Sequence, residues 1–444
     1  REDLNREWRG LMRDLQITSK GIAARGRVHD RTSGRHSNFF LENSQMKKTL
    51  AAVAVLGAFA GTAMAADVTL YGKIDLGLNY QHLDDGSVTT NQVSEKSGQN
   101  SGSRFGLKGT EDLGNGYKVG FVLENGFSGD TGAFSTDGKL FDREAQLNVQ
   151  SDFGTLAFGR MGSLSSGLGS FNLNNYMAMS TGWGDYSSKL GHFGLNRARY
   201  DNMVTYQTPR FAGVRVSAQY SFANSGTEAV HTAANQRYAG LGVDYANGPF
   251  TAGLIVDTIF NKNTKDELNT EDTLGVTLGA AYDFEVVKVF ALGQYGQNEN
   301  KFGGLSNRGY VAYNKKSDDL TGRKAVYVQD EGVTGYMFQL GVTAPVLGGT
   351  AYAAASYSDA ESDSDDVVKT VTGGAFTAAD KDTKDIGSKD FKGYGIAVGY
   401  TYPMSKRTYV YTYAGYEELK TKTEGAATKK EKNTEFGFGM VHNF

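Results

Sequence analysis

The sequence predicts an all-β fold: a closed, 16-stranded antiparallel transmembrane β-barrel with short turns at one end and long loops at the other. Three observations carry this. Apolar and polar residues alternate with a period of two along most of the chain, the connections alternate between short and long, and an export signal precedes the first alternating segment. Composition agrees: 444 residues include 58 Gly, 25 Tyr and 25 Phe, but only 4 Pro and no Cys. That excludes a disulfide scaffold and cysteine-ligated metal centres. A mean hydropathy of −0.42 excludes a multi-helix membrane protein.

The signal begins at Met46-Lys47-Lys48, continues through the apolar Thr49 to Ala60, and ends at Ala63-Met64-Ala65. A basic start, a short apolar stretch and a small-x-small site predict secretion with cleavage after Ala65, giving a signal peptide over 46–65 and a mature body over 66–444. Residues 1–45 stand upstream of it and are expected to be leader sequence outside the natural protein; no function is assigned to them. Of the 46 Lys and Arg and 49 Asp and Glu, 11 basic and 6 acidic residues precede position 66, so the body carries −8. An acidic body argues against nucleic acid as a partner.

Strands follow in order. On the first, Val68, Leu70, Ile74, Leu76 and Leu78 share one parity, and Thr69, Tyr71, Lys73, Asp75 and Asn79 take the other. Equivalent segments are Ser103 to Gly109, Tyr117 to Phe127, Phe141 to Ser151, Thr155 to Arg160 and Arg199 to Thr208. Val214 to Ser221, Gln236 to Tyr245, Phe250 to Thr258, Thr273 to Phe284 and Val287 to Gln297 continue the series. Gly335 to Ala344, Thr350 to Ser358, Lys392 to Tyr402, Thr408 to Glu417 and Thr434 to Phe444 complete it. Tight turns such as Ser151 to Gly154 and Pro345 to Gly349 alternate with long polar loops, among them Gln81 to Gly102 and Met161 to Asn196. In a bilayer every backbone polar group needs an internal partner, which a closed barrel supplies without edges. The apolar parity then faces lipid and the polar parity water.

The chain resembles the Gram-negative general porins, most closely the β-proteobacterial type. The resemblance rests on Asp67-Val68-Thr69-Leu70-Tyr71-Gly72, on Ser101 through Gly114 with Gly116, on Ser151-Asp152-Phe153-Gly154-Thr155 with Gly159-Arg160, on Asp201-Asn202 to Tyr206, and on the terminal Phe444. It implies a cell outer-membrane barrel assembled as a homotrimer, in contact with outer-membrane lipid. It implies passive diffusion of inorganic ions and small hydrophilic solutes, and a third loop, Met161 to Asn196, folded into the lumen. Phe444 is similar to the residue by which such barrels are marked for membrane insertion.

A pore needs no catalytic residue, cofactor or metal; charges around its narrowest part set which ions pass. Parity places Lys73, Asp75, Arg104, Lys108, Glu124 and Arg199 inward. The resemblance adds Arg143, although Arg143 falls on the parity of Leu147 and Val149. Arg160 and Arg197 join the same expected constriction, opposite Asp185, the carboxylate of the loop segment. The sum predicts weak anion preference. Acidic runs such as Asp359 to Asp366 and Asp380 to Asp385 lack the order of a calcium loop and read as solvated. An enzyme is not expected, since His82, His192, His231 and His442 lie in loops or at the terminus outside any triad context. A substrate-specific channel or a surface adhesin on the same barrel is the alternative.

Overall fold

The structure, a computed structural model, describes residues 68–179, 183, 195, 197–226, 228, 235–261, 272–299, 301–302, 305–306, 325–329, 332–362, 367–371, 389–423 and 427–444. The expected signal peptide over 46–65, the segment 1–45, Asp185, and the acidic runs 363–366 and 380–385 lie outside the described residues.

The wall consists of β1 (Thr69–Asp84), β2 (Arg104–Gly114), β3 (Tyr117–Gly126), β4 (Glu144–Ser151), β5 (Gly154–Gly162), β6 (Arg199–Gln207), β7 (Val214–Ser221) and β8 (Arg237–Asn247). It continues through β9 (Phe250–Phe260), β10 (Leu274–Asp283), β11 (Lys288–Glu299), β12 (Val333–Val346), β13 (Gly349–Ser362), β14 (Lys389–Pro403), β15 (Thr408–Thr423) and β16 (Lys429–Asn443). Each strand pairs antiparallel with the next, and β16 returns to β1 from Lys73↔Asn443 to Asp84↔Lys432. The 16-strand barrel is therefore closed, as the alternating pattern predicts.

Strand ends depart from the sequence reading. β14, β15 and β16 run past the apolar band, β15 through Glu418-Leu419-Lys420-Thr421-Lys422-Thr423. The ladder pairing persists there while the residues of both faces become mostly polar, so the period-two hydrophobic signal fades before the strand does. A further strand, Thr89–Ser97, lies within the expected first loop and pairs with Leu76 to Asp84 of β1. It is polar on both faces and gave no alternation to read.

Burial is inverted relative to a soluble protein. On β1, Leu70, Ile74 and Leu78 are exposed while Asp75 and Asn79 are buried. On β12, Phe338 and Leu340 are 57% and 63% exposed and the intervening Gln339 is 2% exposed. Greasy side chains point out and polar ones in, the arrangement a lipid-facing barrel requires.

Part of the aromatic content lies inside the barrel rather than on its outer surface. Several rings lie inward, flat across glycines of neighbouring strands. A Cβ built on Gly439 would stand 2.6 Å from the Tyr411 ring, one on Gly399 2.6 Å from Trp183, and one on Gly106 2.8 Å from Tyr71. Glycine leaves room for a cross-strand ring to cover the backbone. The high Gly and Tyr counts are thus partly one feature.

Candidate functional site

Lys73 on β1, Arg104 on β2, Glu124 on β3 and Glu144 on β4 are cross-strand neighbours on the inner face. Lys73 opposes Arg104, Glu124 opposes Gly106 beside Arg104, and Glu124 opposes Glu144. Ser101 Oγ separates the two cations, accepting from Lys73 Nζ at 3.1 Å and from Arg104 Nη2 at 2.9 Å. Glu124 is shared: Arg143 Nε stands 2.5 Å from Oε1, Arg104 Nη1 3.7 Å from the same oxygen, and the Tyr71 hydroxyl donates to Oε2 at 3.0 Å. Lys108 lies over the Tyr71 ring, 5.3 Å from its centre. Charge-assisted bonds of this kind are short and directional.

Arg143 precedes β4 rather than lying within it, so the strand's pleat does not govern its direction. That removes the parity conflict. Arg199 reaches the neighbourhood of Arg143, Glu124 and Glu144 by a route that parity missed. Between Gly159/Met161 of β5 and the facing β6 the register shifts, with Asn202 at φ 51° in the left-handed region. Such a bulge flips the alternation beyond it. Tyr200 therefore joins Met161, Phe171, Met203 and Tyr238 in a buried inner cluster. Among the described residues Arg199 has no carboxylate at ion-pair distance, and its Nε has no hydrogen-bond partner.

Two expected members belong elsewhere. Arg160 pairs with Asp201, which also holds Lys139 Nζ at 2.6 Å, and Arg160 Nε donates to the Asp142 carbonyl at 2.6 Å. Arg197 is fully enclosed. Its Nε donates to Asp257 Oδ1 at 2.8 Å, and its two terminal nitrogens donate to Glu299 at 2.7 and 2.8 Å. Burial works against this charge, but Asp257 and Glu299 more than reverse the effect and hold the guanidinium above the ordinary arginine range. Both arginines are ion-paired, Arg160 with its side chain partly accessible and Arg197 enclosed. Sequence spacing could not show this, because Asp257 and Glu299 come from β9 and β11.

The segment after β5 packs on the inner wall. Leu173 covers Gly242 of β8, Tyr176 covers Gly253 and Gly279 of β9 and β10, Ala178 meets Gly341 of β12, and Trp183 meets Gly399 of β14. Its described polar ties to the wall are buried or part-buried. Leu164 N–H donates to Gln219 Oε1 at 2.9 Å, and Ser170 donates to Glu144 from its N–H at 2.8 Å and its hydroxyl at 2.7 Å. Asp257 accepts from Ser165 Oγ at the segment's start as well as from Arg197 at its end. One carboxylate thus fastens both ends. Asp244 of β8 is paired with Arg210 and Arg215. At the C-terminus Phe444 exchanges backbone hydrogen bonds with Gly72 at 3.0 and 3.1 Å and covers it with its ring.

A sequence profile described as Gram-negative porin matches residues 51–424. The chain belongs to the Gram-negative porin family. It is 34% identical over 422 residues to an outer membrane porin protein of Bordetella pertussis, covering 90% of this chain and 100% of that one. It is 34% identical to outer membrane porin protein 32 of Delftia acidovorans, over 58% of this chain and 72% of that one. Among solved structures it resembles an anion-selective porin from Comamonas acidovorans, with TM-score 0.58 and 26% identity, covering 85% of this chain and 100% of that one. The trimer form of OmpT from Vibrio cholerae, at TM-score 0.53 and 16% identity, covering 86% of this chain and 100% of that one, shares the fold. This porin is an outer-membrane protein, and the exposed apolar band of its strands is the surface that meets lipid.

Proposed function

We propose that this porin is a general diffusion channel, passing inorganic ions and small hydrophilic solutes with weak anion preference through a constriction lined by Lys73, Arg104, Arg143 and Arg199, and that it works as a homotrimer. One observation carries the preference. Lys73, Arg104 and Arg199 keep part of their surface accessible while Asp75, Asp142 and Glu144 are buried; Arg143 and Glu124 are covered alike, each side chain 12% exposed. Ions in the lumen therefore meet guanidinium and ammonium groups first. Arginine stays charged at any working pH. Resemblance to an anion-selective porin at 26% identity agrees in sign.

The test is a planar-bilayer recording of the purified full-length protein under a salt gradient. Conductance in groups of three equal steps, with a reversal potential of anion sign, supports the reading; clear cation preference refutes the constriction argument and leaves the fold intact. A solute-specific channel is the second reading, favoured by Tyr352 and Tyr409, half-buried on the inner wall. Liposome swelling separates the two, since size alone governs entry through a general pore.

A further inference from the structure

Parity places Asp75 inward, and in the structure it has no exposed surface. One carboxylate oxygen accepts the N–H groups of Asn100 and Ser101, both at 2.7 Å, and the other accepts the Tyr411 hydroxyl at 2.6 Å. Its carbonyl accepts Gly98 N–H at 2.9 Å, and its own N–H donates to Ser103 Oγ at 3.0 Å. Everything Asp75 holds, Tyr411 apart, lies within 98–103.

That segment fills the interval where β1 changes partner. Thr69 to Lys73 pair with β2, and Leu76 to Asp84 pair with Thr89–Ser97. The chain leaves the ladder at Gly98, whose φ of 75° suits glycine. It then crosses the inner face. Asn100 Oδ1 accepts from the Tyr409 hydroxyl of β15 at 2.8 Å, and Gln99 Oε1 from Tyr413 of β15 at 2.9 Å. At its other end Ser101 Oγ meets Arg104 of β2 and Lys73 of β1. β16 and β1 lie between β15 and β2, so the span is three strand spacings, about 14 Å. Gly77 makes room for it, since a Cβ there would stand 2.7 Å from Gln99 Nε2.

We propose that residues 99–103 form a second constriction element, a shelf pinned to the wall by Asp75, which narrows the pore and orients Lys73 and Arg104 through Ser101. Asp75 is a positioning residue, shielded from permeating ions. The inference deepens the diffusion-pore reading and rests on it.

Two variants test it in bilayer recordings of the full-length protein. Asp75→Asn removes a charge but keeps the shape. If Asp75 pins the shelf, conductance rises and anion preference falls as Lys73 and Arg104 lose their alignment. If it acts as a lumen charge, its removal increases anion preference, and that result overturns the proposal whatever the conductance does. Ser101→Cys introduces the sole thiol of a cysteine-free chain. A negatively charged methanethiosulfonate reagent then lowers the current in discrete steps if Ser101 lines the narrow part. Unchanged current after complete labelling, confirmed by mass, overturns the shelf even if Asp75→Asn fails to fold. An unmodified protein that gives no conductance steps sinks the pore reading instead, and the two failures are thereby distinct.

Discussion

Arg197 and Arg199 are two residues apart and meet opposite conditions. Arg197 is enclosed between Asp257 and Glu299, with 1% of its side chain exposed. Arg199 stands near Arg143 and near Glu124, Asp142 and Glu144, but among the described residues no carboxylate comes within ion-pair distance of it. The first can carry no weight with a passing ion, because its field is cancelled within hydrogen-bond distance. The second keeps its field. The difference separates two parts of the inner wall: β9 and β11 hold Arg197 by ion pairs, whereas Arg199 of β6 lies near the charged cluster of β1 to β4.

The largest expected effect comes from breaking the first arrangement. Arg197→Met leaves two carboxylates buried without their cation, and removing one partner of a buried ion pair costs about 3–5 kcal/mol. Thermal unfolding of the detergent-folded barrel should show a markedly lowered midpoint. Arg197→Met combined with Asp257→Asn and Glu299→Gln removes the uncompensated charges and should recover most of the loss. An unchanged midpoint for the single variant would contradict the clamp.

These two arginines also mark how far the sequence could be read. Strand existence, closure and the inward or outward sense of most residues follow from period-two alternation, because the same pleat sets hydrogen bonding and side-chain direction. Arg104, Lys73 and Glu124 were legible for that reason. Arg199 was assigned inward on the parity of Asp201 and Thr205, and the bulge at Asn202 breaks that parity, so the residue reaches the cluster by another geometry. Parity gives the inward side of Asp75 but not the burial of Asp75 or Arg197, because nothing local in the sequence announces their partners. Asp257 and Glu299 meet Arg197 from strands distant in sequence, and Asp75 is covered by a segment that composition alone marks as an outer loop. Alternation reports direction and is silent about what comes to lie on top.

A smaller effect probes how the infolded segment is seated. Gly399 lets Trp183 rest on β14, and a methyl there would stand 2.6 Å from the indole, which also packs 4.8 Å from Tyr352. Overpacking of this kind costs about 1–3 kcal/mol. Gly399→Ala should therefore lower the unfolding midpoint less than Arg197→Met does. Adding Trp183→Leu should make the pair less damaging than the sum of the single changes. Strict additivity would mean that Trp183 does not depend on Gly399.

The smallest effect, and the sharpest test of the charged side, is on selectivity. Glu124→Gln releases Arg143 and Arg104 from their shared carboxylate, while Arg199→Gln removes a cation that has no carboxylate at ion-pair distance among the described residues. A unit charge about 8 Å from a passing ion in water is worth about 0.5 kcal/mol, roughly a factor of two in permeability ratio. The first variant should raise anion preference by that factor and the second should lower it. Both changes should shrink with salt, since the screening length falls from about 10 Å at 0.1 M to about 3 Å at 1 M. Reversal potentials measured at those two concentrations check the sign and the screening together. A shift that survives high salt would have to come from altered pore shape, and would move the explanation from the exposed cations to the packing beneath them.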